Sequence, residues 1–260
     1  MQIKTRKISA LAAGMAATAL TLAAHGVLAD EDDEVPFNVA RLFFQLNDTD
    51  EDLGIHLLLD GEPWKTLEID GPDDRRLFYV NTQSKLRRQG LTEFKFESAE
   101  PSFDEFPAAA FFRRFREGEY DIEGRGLDGI EYESTVVISH LLPAPIENLR
   151  VDGAATPDDC DEDPGPNVSA TPLLTWDPVT TSHPELGRPG DVEILRYEVA
   201  VERDEPSLKL EANVHVEDEP IVAFQVPAGL LDSGDEIKFQ VLVQDVGGNE
   251  TSSESCFVVN

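Results

Sequence analysis

The sequence predicts an all-β protein of two β-sandwich domains, the first carrying one short covering helix. Three observations lead there. From Asn38 to the C-terminus, short apolar runs alternate with turn residues at the spacing of a sandwich. A single stretch, 103–116, follows a helical period instead. Between two such strand series lies LLPAPIENL (141–149), whose prolines remove ladder donors and stiffen the chain into a short extended spacer.

Residues 1–29 read as an address. Lys4, Arg6 and Lys7 form a positive start, 8–24 is Ala-rich and apolar, and Val27-Leu28-Ala29 places small residues around a cut after Ala29. The apolar stretch is short for a membrane anchor, which needs about 20 strongly apolar residues. The expectation is a cleaved signal peptide, export to a periplasm or the medium, and no membrane insertion. Residues 36–143 form the expected first domain and 144–260 the second.

In the first domain, ARLFFQL (40–46), IHLLLDG (55–61), WKTLEI (64–69), RLFYV (76–80), TEFKFES (92–98), EYDIEGR (119–125) and IEYESTVVIS (130–139) are the expected strands. GLDG (126–129) marks a hairpin. The helical stretch places Phe103, Phe106, Ala110, Phe111 and Phe115 on one stripe. Ser102 and Glu105 are spaced as a capping box, and Pro107 falls in the first turn. Its aromatic face is expected to cover a sheet edge or barrel end, a ligand surface that could line a sugar site with Trp64 being the other reading.

The second series comprises ENLRV (147–151), LLTWDPV (173–179), VEILRYEVAVE (192–202), SLKLEANVHV (207–216), IVAFQV (221–226), DEIKFQVLVQD (235–245) and SSESCFVVN (252–260). Seven strands in about 115 residues, with turns every 8–12, is the arithmetic of an immunoglobulin-like sandwich. Here the sequence resembles the fibronectin type III family. PIENLRV is similar to that family's first strand, Trp176 stands where it keeps a second-strand Trp, and Tyr197 sits on the third strand. FQVPAGLLDSGDEIKFQVLVQDVGGNETSSES is similar to its fifth strand through its last. One position departs: the family's corner Tyr would fall at Ile237. The acidic insert 158–167 is also longer than the family's first connection. The resemblance implies a fold and a spacer or adhesion role, and no activity.

Charge is the most unusual property. The chain has 52 Asp+Glu against 21 Lys+Arg. Loss of the leader would leave 18 cations and a net charge of −34. That field repels nucleic acid and anionic lipid, and suits cations, cationic partners or saline water. The only cysteines, Cys160 and Cys256, are expected to pair, closing a loop of roughly 100 residues worth roughly 4–5 kcal/mol in the chain-entropy model.

Asn47-Asp48-Thr49-Asp50-Glu51-Asp52-Leu53-Gly54 resembles a D-x-D-x-D calcium loop. Asp48, Asp50 and Asp52 are the expected ligands, with Asp60 as a further one, around a structural Ca²⁺ that needs six to eight oxygens. An acidic hairpin that binds nothing is the other reading. Asp158, Asp159, Asp161, Glu162 and Asp163 read as a solvated loop. His56, His140, His183 and His215 are isolated, with no zinc spacing. No nucleophile elbow or phosphate loop occurs. Arg87-Arg88 and Arg113-Arg114-Arg116 read as salt-bridged surface, an anion contact being the sharper alternative. Trp64, after Gly61-Glu62-Pro63, is the candidate for a sugar-stacking aromatic. Asn47, Asn167 and Asn249 head N-x-S/T sequons. The expected function is therefore non-catalytic binding or scaffolding of a protein or polysaccharide partner, the alternative being a carbohydrate-binding accessory or small glycoside hydrolase.

Overall fold

The computed structural model describes residues 34–203, 206–214 and 222–260. The expected leader, His215 and parts of the strands expected at 207–216 and 221–226 lie outside them. The first half contains β1 (Val39–Asn47), β2 (Asp52–Asp70), β3 (Arg76–Asn81), α1 (Ser84–Gln89), β4 (Leu91–Glu97), α2 (Ala108–Arg114), β5 (Gly118–Gly126) and β6 (Glu131–Ile138). The second contains β7 (Arg150–Val151), β8 (Ala154–Ala155), β9 (Asn167–Val168), β10 (Leu173–Trp176), β11 (Ile194–Arg203), β12 (Leu208–Val214), β13 (Val222–Gln225), β14 (Glu236–Asp245) and β15 (Glu250–Val259). The chain is all-β, as the alternation of apolar and turn residues predicts.

Two expected strands, 55–61 and 64–69, are one. β2 runs unbroken for 19 residues through Gly61-Glu62-Pro63. Its partners change along its length. β1 pairs with Asp52–Asp60, and β4 with His56–Asp60 and again at Trp64, whereas β3 and β5 accompany its later part to Asp70. Pro63, which has no N–H to donate, falls where the ladders shift register, so its missing donor costs little. Phe37 packs against this bend. A Cβ on Gly61 would lie 2.9 Å from the Phe37 ring and one on Gly124 2.6 Å, so both positions admit the ring only as glycine.

The helical stretch is shorter than its periodicity predicts. Pro107 has φ −54 and ψ 136, and α2 begins only after it. A proline pushes the preceding residue out of the helical region, so the helix cannot pass through Phe106. Ser102 makes no side-chain cap. Its carbonyl accepts from the Glu105 and Phe106 N–H groups, closing a turn. The aromatic stripe nevertheless packs inward: Phe111 is buried, and Phe103, Phe106 and Phe115 lie against the same core. A second short helix, α1, has no counterpart in the sequence pattern. Its six residues are too few to show a period, and Gly90 at φ 80 ends it with an N–H to the Leu86 carbonyl. The 126–129 hairpin forms as expected, with Gly129 at φ 95.

Two hydrophobic cores result, and they meet at Pro143. Leu142 belongs to the first core, with Phe44, Leu59, Trp64 and Ile122; Ile146 belongs to the second, with Trp176, Tyr197, Phe239 and Phe257. In the second half, β13, β10, β7 and β8 form one sheet while β12, β11, β14 and β15 run consecutively in the other. That division is the fibronectin type III-like sandwich. Trp176 stacks edge-on against Tyr197 at 5.5 Å, and the Tyr197 hydroxyl accepts from Val179 N at 2.7 Å. Ile237, where the family's corner Tyr would stand, is buried in the core. Cys160 and Cys256 are disulfide-bonded, their Cα atoms 5.9 Å apart.

The halves are joined by backbone. β15 pairs in parallel with β1 (Gln45 with Glu250, Leu46 with Thr251, Asn47 with Ser252), so one sheet runs from β12 to β6 through both cores. Residues 33–260 form one compact unit.

Candidate functional site

The hairpin expected to hold calcium sits at this junction. Asn47 organises it: its Oδ1 accepts from Thr49 N (3.1 Å) and Asp50 N (3.3 Å). Its Nδ2 donates to Asp50 Oδ2 (3.0 Å) and across the junction to Glu254 Oε1 (2.9 Å). Glu254 N in turn donates to Thr49 Oγ1 at 2.8 Å. Asn47 is thus a turn former of the Asx type whose second hand reaches β15.

Asp48 points elsewhere. Its Oδ1 accepts from His183 Nε2 at 3.0 Å, and His183 is buried. Its Nδ1 accepts from the backbone N–H groups of Glu185 (3.1 Å) and Leu186 (2.9 Å), which assigns the proton to Nε2 and makes Asp48 the acceptor. Two loops distant in sequence are so tied by one imidazole.

Asp52 opens β2, opposite Asn47. Burial, then Glu100, Asp50 and Glu254 in that order, push its carboxyl up to about 6. Burial and Asp50 also raise Glu254, and burial raises Glu250 despite its ion pair with Arg41 at 3.0 Å. Asp60 lies eight residues further along the same extended strand, at Val39 and Glu93. At ~3.3 Å per residue that is roughly 26 Å from Asp52, beyond any shared coordination sphere.

Among the described residues, no three His, Cys, Asp or Glu side chains gather where they would hold a metal ion. Asp48 Oδ1 accepts from His183 and Asp50 Oδ2 from Asn47, so these two carboxylates are directed at different partners.

What the geometry builds instead is an acidic surface. Two open clefts, of about 650 and 380 Å³, meet at Thr49, Asp158 and Glu254. Asp48 and Glu147 stand along the larger, and Asp50, Asp159 and Asp161 along the smaller, with Lys238 as its one cation. Two acidic stretches separated by more than a hundred residues therefore share one groove, with Cys160 of the disulfide in its lining.

Trp64 corrects the sugar-stacking expectation. It is fully buried, 6.2 Å edge-on from Phe94. Strict alternation would not bury it, since Leu57, Leu59, Leu67 and Ile69 fall on the opposite parity; the register shifts on either side of Trp64 turn the indole into the core. Asn249, read as a sequon, is only 2% exposed. It bonds Phe44, Ser139 and Leu141.

No family model matches the chain, and no curated protein does. Among solved structures, it is similar to a tetra-tandem repeat in the extending region of a large adhesion protein (10% identity, TM-score 0.28). That match covers 85% of this chain and 50% of the other, so this chain spans half its length. The chicken interferon gamma receptor alpha chain aligns at 11% identity and TM-score 0.29, covering 85% of this chain and 96% of the receptor's. The FN1–FN3 domains of chicken CNTN1 align at 6% identity and TM-score 0.26, over 86% and 69%. Such likenesses are too loose to carry a functional argument, and the strand order itself carries the fold.

Proposed function

We propose that this chain is a non-catalytic binding or scaffolding module that works in an oxidising compartment, at or outside the cell envelope. The observation that carries the reading is the β1–β15 ladder, which joins the strands of the first half to the sandwich of the second in one sheet. Consecutive domains ordinarily move against each other. Here a change in their relation would break backbone pairs and strand buried polar groups. A fixed tandem is what a spacer or presenting module needs.

Two further features support the setting. The Cys160–Cys256 bridge persists only where thiols are not kept reduced. The acidic groove and the net charge of −31 favour a partner with a cationic surface over any polyanion. With Trp64 buried and the 103–116 aromatics packed against the first core, the carbohydrate-binding alternative loses both features that motivated it.

The test is fractionation of cells expressing the full chain, with alkylation of thiols before and after reduction. Recovery outside the cytoplasm with both cysteines protected supports the proposal. A cytoplasmic protein with two free thiols would sink it, and so would turnover of a model glycoside that a single carboxylate substitution abolishes.

A further inference from the structure

Four arginines converge at one cleft of this acidic chain. The cleft, of about 250 Å³, lies between the turn leading into β3 and the end of α2. Arg75 and Arg76 come from the turn, Arg114 and Arg116 from the helix end, and Asp73 is the only acid among the lining residues. The 52 acids of the sequence outnumber its 21 bases, so four cations to one acid inverts the local balance.

The backbone on both sides is held. Gly71 N donates to the Arg75 carbonyl at 2.9 Å, and Asp74 N to the Gly71 carbonyl at 3.0 Å. On the other side, Tyr120 Oη donates to the Arg116 carbonyl at 3.0 Å, and Phe115 N to the Phe111 carbonyl. Leu77, Phe115 and Pro72 supply apolar walls. Two of the four guanidiniums have acid partners: Arg75 reaches Asp73 at 3.5 Å, and Arg76 pairs with Glu68. Arg114 stacks over the Phe106 ring at 4.3 Å, which orients it without neutralising it. Arg116 has no ion pair among the described residues.

Cations in the last turn of a helix complement its dipole, and that accounts for Arg113 and Arg114. It does not account for Arg75 and Arg76, which arrive from a turn some forty residues earlier to line the same cleft. We infer that this cleft is a binding site for a compact oxyanion, a carboxylate or phosphate group on a small molecule or chain end. Guanidinium forks match both groups bidentately. A long polyanion is excluded by the field of the remaining surface. A compact anion is not, because at ~0.15 M salt charges beyond about 8 Å are largely screened, and locally the four arginines outnumber their two acid partners, Asp73 and Glu68.

The test uses the full chain in chloride buffer at fixed ionic strength, titrated with citrate, glucuronate and inorganic phosphate while thermal unfolding is followed. Either carboxylate or phosphate should raise the melting temperature by several degrees, saturably and in the millimolar range. The arm that responds names the source of the anion. Apparent affinity should fall at least tenfold in both R114A/R116A and R75A/R76A, all exposed positions, and stay unchanged in R87A/R88A. The ligand-free melting temperature of each variant reports whether it is folded. No saturable response to any of the three anions would overturn the inference, and so would a response of equal size in all three double variants.

Discussion

Asn249 Oδ1 accepts the Phe44 N–H at 3.0 Å, although the two residues are 205 positions apart. The amide nitrogen of the same side chain donates to the carbonyls of Ser139 (2.8 Å) and Leu141 (2.9 Å). One buried carboxamide therefore ties β1, the segment between the halves and the β14–β15 turn. Its own backbone N–H is held by Asp245 Oδ1 at 2.9 Å. Arg41 and Glu250 close the same corner with an ion pair.

Replacing Asn249 with alanine leaves one buried donor and two part-buried acceptors without this partner. Each costs about 1–3 kcal/mol, so the expected loss is several kcal/mol in urea unfolding. In a glycosylating host, peptide mapping of the folded secreted protein should show glycan at exposed Asn167 and none at Asn249. A variant within experimental error of the parent would remove Asn249 from the junction.

Trp64→Ala should behave as a core truncation, costing about 3–5 kcal/mol, with no change in retention on any polysaccharide column. Loss of glycan retention at unchanged stability would restore the sugar-stacking role.

Reduction, or Cys256→Ser, should lower stability by about 2–5 kcal/mol. The bridge closes a separation of 96 residues and pins the acidic insert to β15. The readout is the denaturation midpoint with and without dithiothreitol.

Acidification should stabilise the protein down to moderate pH. Asp52 titrates near 6 when folded against an ordinary 3.8, so between those values the folded chain holds a proton that the unfolded chain has released. Stability then falls as pH rises through that window and is lowest above it. Raised Glu254 and Glu250 act in the same direction. The melting temperature, measured at low protein concentration, should rise by a few degrees from pH 7 to pH 5, and Asp52→Asn should flatten the slope. A profile that falls on acidification would contradict the assignment.

Calcium titration after EDTA treatment, at fixed high ionic strength, should leave the melting temperature unchanged within about a degree. Asp48 and Asp50 already accept from His183 and Asn47, and Asp60 is out of reach. A saturable rise abolished by Asp50→Ala would mean that the hairpin rearranges around the ion.

Much of the second half was legible because its signals are local. Trp176, Tyr197 and the final strand pair sit at spacings set by the sandwich, and alternation alone marks their inward faces. The Cys160–Cys256 pairing followed from there being only two cysteines. The long β2 was less legible, because Gly61-Glu62-Pro63 carries turn chemistry that the ladders on either side override. Periodicity overextended the helix at 103–116, where the residue-level effect of Pro107 prevailed. The site was the least legible part. Asn249 carries no sequence mark except a sequon, which points the wrong way, and Glu100 and Glu254 look like any of the other acids.

The sequence by itself determined the fold class, the order of most strands, the disulfide and the sign of the surface. Each depends on composition or on neighbours a few residues apart. Only the tertiary structure decided that the last strand joins the first, that Trp64 lies inside, and that Asp48 and Asp50 share a groove with Asp158, Asp159 and Asp161. The same holds for four arginines lining one cleft. Those outcomes depend on which strand edges and turns meet in space, and the hydrophobic effect that drives the meeting is non-directional. Residue spacing along the chain does not encode them.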